Sequence, residues 1–273
     1  MNIGYLGIPG SYSETALSEY LPDAADKTSV DTFDNLITLL KRDELSHIIL
    51  PIENSTTGLI TRTMDLLKYE PLYIVDEWYL PIENQLWAKS DVAIDALTHV
   101  YSHPEAFTQT ENYFSQYPHI KRVSYTDTAN AARFVRESDL ETVAALAGSR
   151  AGKLNGLKKI EDTLNSEDKN MTRFFILSRD RNTTLGALSY FYIETPHTPG
   201  ALLRLLNIFD QHNCNLLSLN SRPIQNAPFR YGFFIEVNIT DTDLASLIHT
   251  LKTESTYCHT FGSFNPYVRR DTG

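Results

Sequence analysis

The chain has 273 residues, 42% hydrophobic and 21% charged, which is enough for about two domains with full cores. Its 34 acidic against 24 basic residues give a net charge of -10, which argues against nucleic acid or an anionic membrane surface as the main partner. Two cysteines, Cys214 and Cys258, without a CxxC or a Cys/His cluster, imply neither a disulfide framework nor a zinc site. No run approaches the roughly 18 apolar residues of a membrane span. The first six residues carry no basic region or apolar signal core, so the expectation is a soluble, cytoplasmic chain.

Residues 2–6 read as a first strand, and Gly7-Ile8-Pro9-Gly10-Ser11-Tyr12-Ser13-Glu14 leads from it into a helix ending near Tyr20. The glycine spacing is not the dinucleotide fingerprint, and no Lys-Ser/Thr follows as in a phosphate loop. Ser11 with Glu14 fits a capping box. That role leaves room for a ligand contact, because a helix N-terminus carries free N–H groups and partial positive charge. The device recurs. His47-Ile48-Ile49-Leu50 reads as a strand, followed by Pro51-Ile52-Glu53-Asn54-Ser55-Thr56-Thr57-Gly58 and a helix over about 59–68. A strand ending at Val100-Tyr101 meets Ser102-His103-Pro104-Glu105, a second capping box with an early proline. Val123-Ser124-Tyr125 meets Thr126-Asp127-Thr128-Ala129-Asn130 and a helix, and Val143-Ala144-Ala145-Leu146 meets Ala147-Gly148-Ser149-Arg150. Strand, small polar junction, helix, repeated in this way, is the grammar of parallel α/β structure, whose ligands sit at the carboxyl ends of the strands.

Residues 71–89 form a strand-rich passage that carries the chain from one lobe to another. It holds a second Pro-Ile-Glu-Asn (81–84), which lacks the Ser-Thr-Thr-Gly that follows the first (51–54) and reads as strand without a site role. A polar loop, 161–169, then opens into Asn170-Met171-Thr172-Arg173-Phe174 and the apolar run 174–177, short enough for a buried strand. An arginine there can pair with a carboxylate through two parallel hydrogen bonds, and a threonine hydroxyl beside it can donate one. Beyond a polar linker at 178–184 the pattern changes. Strand 187–193, a turn at Thr198-Pro199-Gly200, helix 201–212, strand 213–219, a loop at 223–230, strand 231–239, helix 241–252 and strand 258–267 make a βαββαβ, ferredoxin-like module.

Five motifs, 7–14, 51–58, Ser-His-Pro-Glu-Ala-Phe-Thr-Gln (102–109), Asp-Thr-Ala-Asn-Ala-Ala (127–132) and 170–174, together resemble the prephenate dehydratase family in content and order. The second module resembles an ACT regulatory domain through Pro199-Gly200-Ala201-Leu202 and Asn220-Ser221-Arg222-Pro223. The resemblance spans essentially the whole chain and looks like the stand-alone form, without a chorismate mutase segment in front. It implies a two-lobed catalytic domain over 1–180, like the type II periplasmic binding fold, with lobes of about 1–80 plus 160–180 and 81–160. An ACT domain over 185–273 follows. It further implies conversion of prephenate to phenylpyruvate, water and carbon dioxide, no metal or organic cofactor, and feedback by phenylalanine in a homodimer or homotetramer. Thr172 is expected to assist the leaving hydroxyl and Arg173 to clamp a carboxylate, with His103 or Glu53 as alternative proton sources. Ser11, Asn54, Ser55, Ser102, Gln109, Thr128, Asn170 and Phe174 would complete the substrate site. Two positions depart from the family: Glu105 stands where Gln is usual and reads as a capping residue, and Asn220 stands where Glu is usual, which puts phenylalanine affinity in question. Arogenate dehydratase is the rival within the enzyme class, and a non-catalytic amino-acid sensor the rival outside it.

Overall fold

The structure is a computed structural model and describes residues 2–22, 26–166 and 169–268. The first elements are β1 (Ile3–Leu6), α1 (Tyr12–Tyr20), β2 (Lys27–Val30), α2 (Phe33–Lys41), β3 (His47–Asn54), β4 (Gly58–Leu59), α3 (Thr61–Leu67) and β5 (Tyr73–Pro81). Next come β6 (Gln85–Ala88), β7 (His99–Ser102), α4 (Pro104–Gln109), α5 (Glu111–Phe114), β8 (Lys121–Ser124), α6 (Thr128–Glu137), β9 (Val143–Ala147), α7 (Ser149–Leu154), β10 (Lys158–Glu161) and β11 (Met171–Ser178). The last are β12 (Leu188–Glu194), α8 (Ala201–Gln211), β13 (Asn215–Pro223), β14 (Tyr231–Asn238), α9 (Leu244–Glu254) and β15 (Tyr257–Phe264). They build three sheets, ordered β2-β1-β3-β11-β5 with β4 beside β3, β10-β6-β9-β7-β8, and β13-β14-β12-β15. The chain divides into two compact units, Met1–Leu59 with Tyr79–Phe174, and Ile60–Trp78 with Phe175–Gly273, so the division falls within β5 and β11.

The second sheet shows how the sequence builds the first unit. β7 pairs in parallel with β8 and β9, as the strand–junction–helix repeat predicts, while β6 joins β9 antiparallel. All five residues of β9 are buried, which requires cover on both faces. Successive side chains of a strand point to opposite faces. Val143, Ala145 and Ala147 pack with Ala129, Ala132 and Val135 of α6, whereas Ala144 and Leu146 pack with Ala106 and Phe107 of α4. The run of alanines lets α6 lie close, and Asp127 starts that helix by accepting from the Asn130 N–H at 2.7 Å.

In the second unit β12, β13, β14 and β15 pair antiparallel in the ferredoxin-like order. Phe191, Ile193, Ile235 and Val237 face α8 and α9 through Leu205, Phe209, Leu247 and Leu251. On the other face Tyr190 and Phe234 make ring contacts with Phe175 and Phe261. β13 runs on through Pro223, well past the expected end near residue 219, because β14 supplies partners as far as Tyr231. The Asn220-Ser221-Arg222-Pro223 motif is therefore strand, at the edge of its sheet.

Two junctions differ from their expected form. Residues 51–58 do not pass directly into a helix: β3 continues to Asn54, and β4 returns antiparallel with Glu53 opposite Leu59. The cause is local. Asn54 Oδ1 accepts from the N–H groups of Thr56 (3.0 Å) and Thr57 (3.3 Å), the turn chemistry of a short polar side chain, and Gly58 supplies φ +78°. The expected capping box at 102–105 is also absent. Ser102 is still strand, paired with Ser124, and His103 is the cap, its Nδ1 accepting from the Glu105 N–H at 3.2 Å. Glu105 Oε1 is buried without a partner among the described residues.

Gly152, in α7, faces Trp87, and a Cβ there would stand 2.0 Å from the indole ring. Alanine in a helix gains about 1 kcal/mol over glycine, but overpacking against a buried ring costs about 1–3 kcal/mol and backbone movement besides. Gly152→Ala is therefore expected to lower the melting temperature in a calorimetric scan; an unchanged or higher value would show that α7 floats free of Trp87.

Candidate active site

Asn54, at the end of β3, is 7% exposed and sits at the centre of a hydrogen-bond network in the first unit. Backbone N–H groups can only donate, so their approach to Oδ1 assigns the amide. Thr56 Oγ1 donates to the same oxygen at 2.7 Å. The opposite end, Nδ2, donates to Asn170 Oδ1 at 2.7 Å and Thr172 Oγ1 at 3.0 Å. Both consequences concern β11 and its approach. The Thr172 oxygen accepts from Asn54, which leaves the hydroxyl hydrogen to be donated elsewhere. Asn170 has its oxygen taken, so its NH₂ is a buried donor with no partner among the described residues. Asn170 is itself 5% exposed, and an orphaned buried donor of this kind calls for a ligand or a water.

Asn170 lines a cavity of about 150 Å³ whose wall is neutral and polar among the described residues, with Thr56, Thr57, Gln109 and Asn165 among the contributors. Gln109 comes from the end of α4, and Thr56 and Thr57 from the turn that Asn54 holds. Ser55 is exposed beside them, its hydroxyl donating to the Lys169 carbonyl and accepting from the Met171 N–H. The structure thus gathers Asn54, Ser55, Gln109, Asn170 and Thr172 into one region.

Other expected members are placed elsewhere. Arg173 follows Thr172 in a strand, so its side chain leaves on the opposite face. There it lies 4.0 Å from Glu53 Oε2 and 5.8 Å from the Tyr79 ring centre, and Glu53 precedes Asn54 by the same alternation. The two neighbouring side chains, expected to serve one substrate, thus leave β11 on opposite faces. Phe174 is 1% exposed in the core, not a ring-stacking surface. Ser102 is fully buried and donates to the Leu146 carbonyl at 2.6 Å, tying β7 to β9. His103 is exposed at the start of α4, roughly 9 Å along the axis from Gln109 at its end. Ser11 caps α1 by accepting from the Glu14 N–H, and Thr128 is the first residue of α6.

Sequence reasoning passed over a cross-link near Ser11. Glu14 does not close its capping box: Oε2 accepts from the Gly10 N–H at 2.9 Å, and both oxygens take the Arg150 guanidinium at 2.5 Å. Gly10, at φ +92°, stands so close to α7 that a Cβ would be 2.9 Å from Ala151 Cα. This contact joins the helix flanking the first sheet to the helix flanking the second. Asn84 and Asn165 were also passed over, though the repeated Pro-Ile-Glu-Asn pointed at the former.

In the second unit, Ala201 and Leu202 line a cavity of about 170 Å³ with Thr198, Arg230 and Tyr231. Pro199 and exposed Gly200, at φ +76°, form the adjoining turn. Asn220, Ser221, Arg222 and Pro223 lie on β13. Arg222 is held by both oxygens of Asp65, and the Pro223 carbonyl accepts from Lys68 Nζ at 2.7 Å. The Arg222 guanidinium is thus already paired with a carboxylate.

The prephenate dehydratase family model matches residues 3–182. The chain belongs to the prephenate dehydratase family. An Arabidopsis thaliana chloroplastic relative named arogenate dehydratase/prephenate dehydratase 2 is 30% identical over 280 residues, 97% of this chain and 72% of that one. A prephenate dehydratase from Arthrobacter aurescens, solved in complex with L-Phe, has 26% identity, a TM-score of 0.87, and coverage of 97% of this chain and 90% of that one. A structure described as GqqA, a novel type of quorum quenching acylase, has 25% identity, a TM-score of 0.81 and coverage of 97% of both chains. Among the described residues no helix is long and apolar enough to cross a membrane.

Burial alone would raise the Glu14 carboxyl pKa, but the Arg150 guanidinium and the Gly10 N–H outweigh it and hold the group below its ordinary 4.5. A carboxyl with a depressed folded pKa stabilises the fold above the unfolded value and loses that contribution as pH falls through the folded one. Glu14→Gln is expected to cost about 1.5–3 kcal/mol near neutral pH, the range for hydrogen bonds to charged groups. The gap to the parent in denaturant melts should then close as the pH drops below 4.5. A gap independent of pH would mean the pair contributes nothing through charge.

Proposed function

We propose that this chain is a prephenate dehydratase, a carbon–oxygen lyase that converts prephenate to phenylpyruvate, water and carbon dioxide in phenylalanine synthesis. The observation that carries the proposal is the Thr172 hydroxyl, with its oxygen held by Asn54 and its hydrogen uncommitted. Prephenate bears a ring carboxylate and, across the ring, a hydroxyl. When the carbon–carbon bond to the carboxylate breaks, carbon dioxide leaves and the bonding pair enters the ring. The carbon–oxygen bond breaks at the far side, hydroxide departs with its pair, and one proton taken up from the medium turns it into the water product. Aromaticity drives the reaction, so the catalyst needs to hold the dianion and stabilise the departing oxygen. Thr172 donates to that oxygen. The bond from Asn54 Nδ2 makes the hydroxyl a better donor, since chains of hydrogen bonds polarise one another. Asn170 Nδ2 holds a carboxylate as a neutral donor, and Arg173 acts at one remove, bracing Glu53 beside Asn54.

The catalytic part is residues 1–180 and the regulatory ACT part 185–273, the latter binding L-phenylalanine as a feedback inhibitor at the turn of Pro199 and Gly200 with Ala201 and Leu202. The L-Phe complex of the Arthrobacter relative supports this ligand. The protein works in the cytoplasm as a homodimer or homotetramer, and the exposed Leu217 and Leu219 on edge strand β13 support self-association. Arogenate is the second substrate candidate, favoured by the double name of the Arabidopsis relative. It differs from prephenate by an amino group on the side chain, and the ratio of kcat/KM on the two compounds decides between them. Among the described residues the cavity brings together no Ser–His or Cys–His pair that would favour an acylase reading.

Thr172→Ala is expected to keep the fold and lower turnover of prephenate by roughly 10²–10³, the scale for losing one well-placed donor, while Thr172→Ser retains most of it. Undiminished turnover in the alanine variant would remove the assignment. Titration calorimetry should show L-phenylalanine binding to the parent protein and its loss in Gly200→Leu, where a side chain must adopt left-handed backbone next to Arg204. A parent protein that takes up no phenylalanine at millimolar concentration would sink the feedback role.

A further inference from the structure

The second Pro-Ile-Glu-Asn ends on Asn84, between β5 and β6, and that residue is 1% exposed. All four of its polar groups are engaged. Its backbone N–H donates to Asn165 Oδ1 at 2.8 Å, and its carbonyl accepts from the Leu164 N–H at 2.9 Å. The Tyr12 hydroxyl lies 3.1 Å from its side-chain Oδ1 and shares its single hydrogen between that oxygen and the Glu83 carbonyl at 3.0 Å, while Nδ2 donates to Gln109 Oε1 at 3.0 Å. Asn165 is held in turn, donating Nδ2 to the Ile82 carbonyl at 2.8 Å. The Gln109 carbonyl is held too, accepting from the Ser166 N–H at 2.7 Å. With Oε1 occupied by Asn84, the NH₂ of Gln109 is the end left for the cavity that Gln109 lines.

A glutamine amide has nearly the same shape either way round, yet turning it exchanges two donors for an acceptor. In a cavity walled by neutral groups that exchange decides whether an anion meets a donor or a lone pair. We infer that Asn84 is a positioning residue that fixes the Gln109 amide with its NH₂ toward the cavity, so that Gln109 presents donors to a carboxylate-bearing substrate. The inference rests on reading this cavity as the substrate site. Asn84 acts through Gln109 and touches no substrate itself.

The decisive variant is Asn84→Asp in the full chain. A carboxylate in that place can only accept, so Gln109 must rotate to donate Nε2 to it and turn Oε1 into the cavity. The first readout needs no substrate: exchange of the Gln109 side-chain NH₂ with water, followed by nuclear magnetic resonance, should slow by about tenfold or more in Asn84→Asp, as expected when a donor passes from a wet cavity to a buried acceptor. Unchanged exchange would overturn the inference. The second readout is a double-mutant cycle on prephenate with Gln109→Ala. Asn84→Asp should raise KM by about tenfold or more with a smaller change in kcat, and its cost should vanish in the Gln109→Ala background, because two residues acting through one contact are not additive. Full additivity would also overturn it. If Asn84→Asp melts out, Asn84→Ala frees the amide to turn and enters the same cycle. A parent protein inactive on prephenate would refute the substrate reading alone, since the exchange measurement still decides the orientation of Gln109.

Discussion

One amide sets the chemistry of this molecule. Asn54 Oδ1 is captured by the N–H groups of the next turn, and those groups have no other polarity to offer. Everything downstream inherits that choice: Nδ2 must donate, Thr172 Oγ1 must accept, and Asn170 must turn its own oxygen inward. A threonine hydroxyl at neutral pH is a poor acid, so its value lies in where its hydrogen points. In a region where Asn54, Asn170 and Thr172 are each under 10% exposed, hydrogen bonds count for more than in water, and a misassigned donor costs correspondingly more.

Among the described residues the cavity lining carries no charged side chain. The chain carries a net charge of -10, and an anionic substrate calls for local compensation. The 170–174 motif suggested Arg173 for that task. Arg173 is instead spent beside Glu53, and Arg150 on Glu14. What remains around Asn170 is a set of oriented neutral dipoles. Such groups are fixed before the substrate arrives and need no reorganisation as charge moves toward the leaving oxygen, which is the setting in which preorganised donors are most effective.

The second unit repeats the theme of groups already committed. Arg222 belongs to the motif expected to bind phenylalanine, yet Asp65 holds it through two hydrogen bonds while Lys68 holds the Pro223 carbonyl. Asp65 belongs to α3 and Lys68 is the residue that ends it, so this helix is anchored to β13 within the second unit.

Periodicity and junction chemistry in the sequence determined the α/β class, the strand cores at 47–50 and 174–177, and the βαββαβ order of the second module, because these follow from local alternation, capping and turn residues. The strand core 174–177 and the Ser11 cap are of that kind. Tertiary structure alone decided which face each neighbour takes and what it meets there. Thr172 and Arg173 are adjacent in sequence and divided by the pleat of β11. Ser102 looked like a cap and is a strand residue, because Ser124 and Leu146 lie beside it. Asn84 looked idle and meets Gln109, a residue 25 positions away. Donor and acceptor direction belongs to pairs brought together from distant parts of the chain, and no spacing within one segment encodes it.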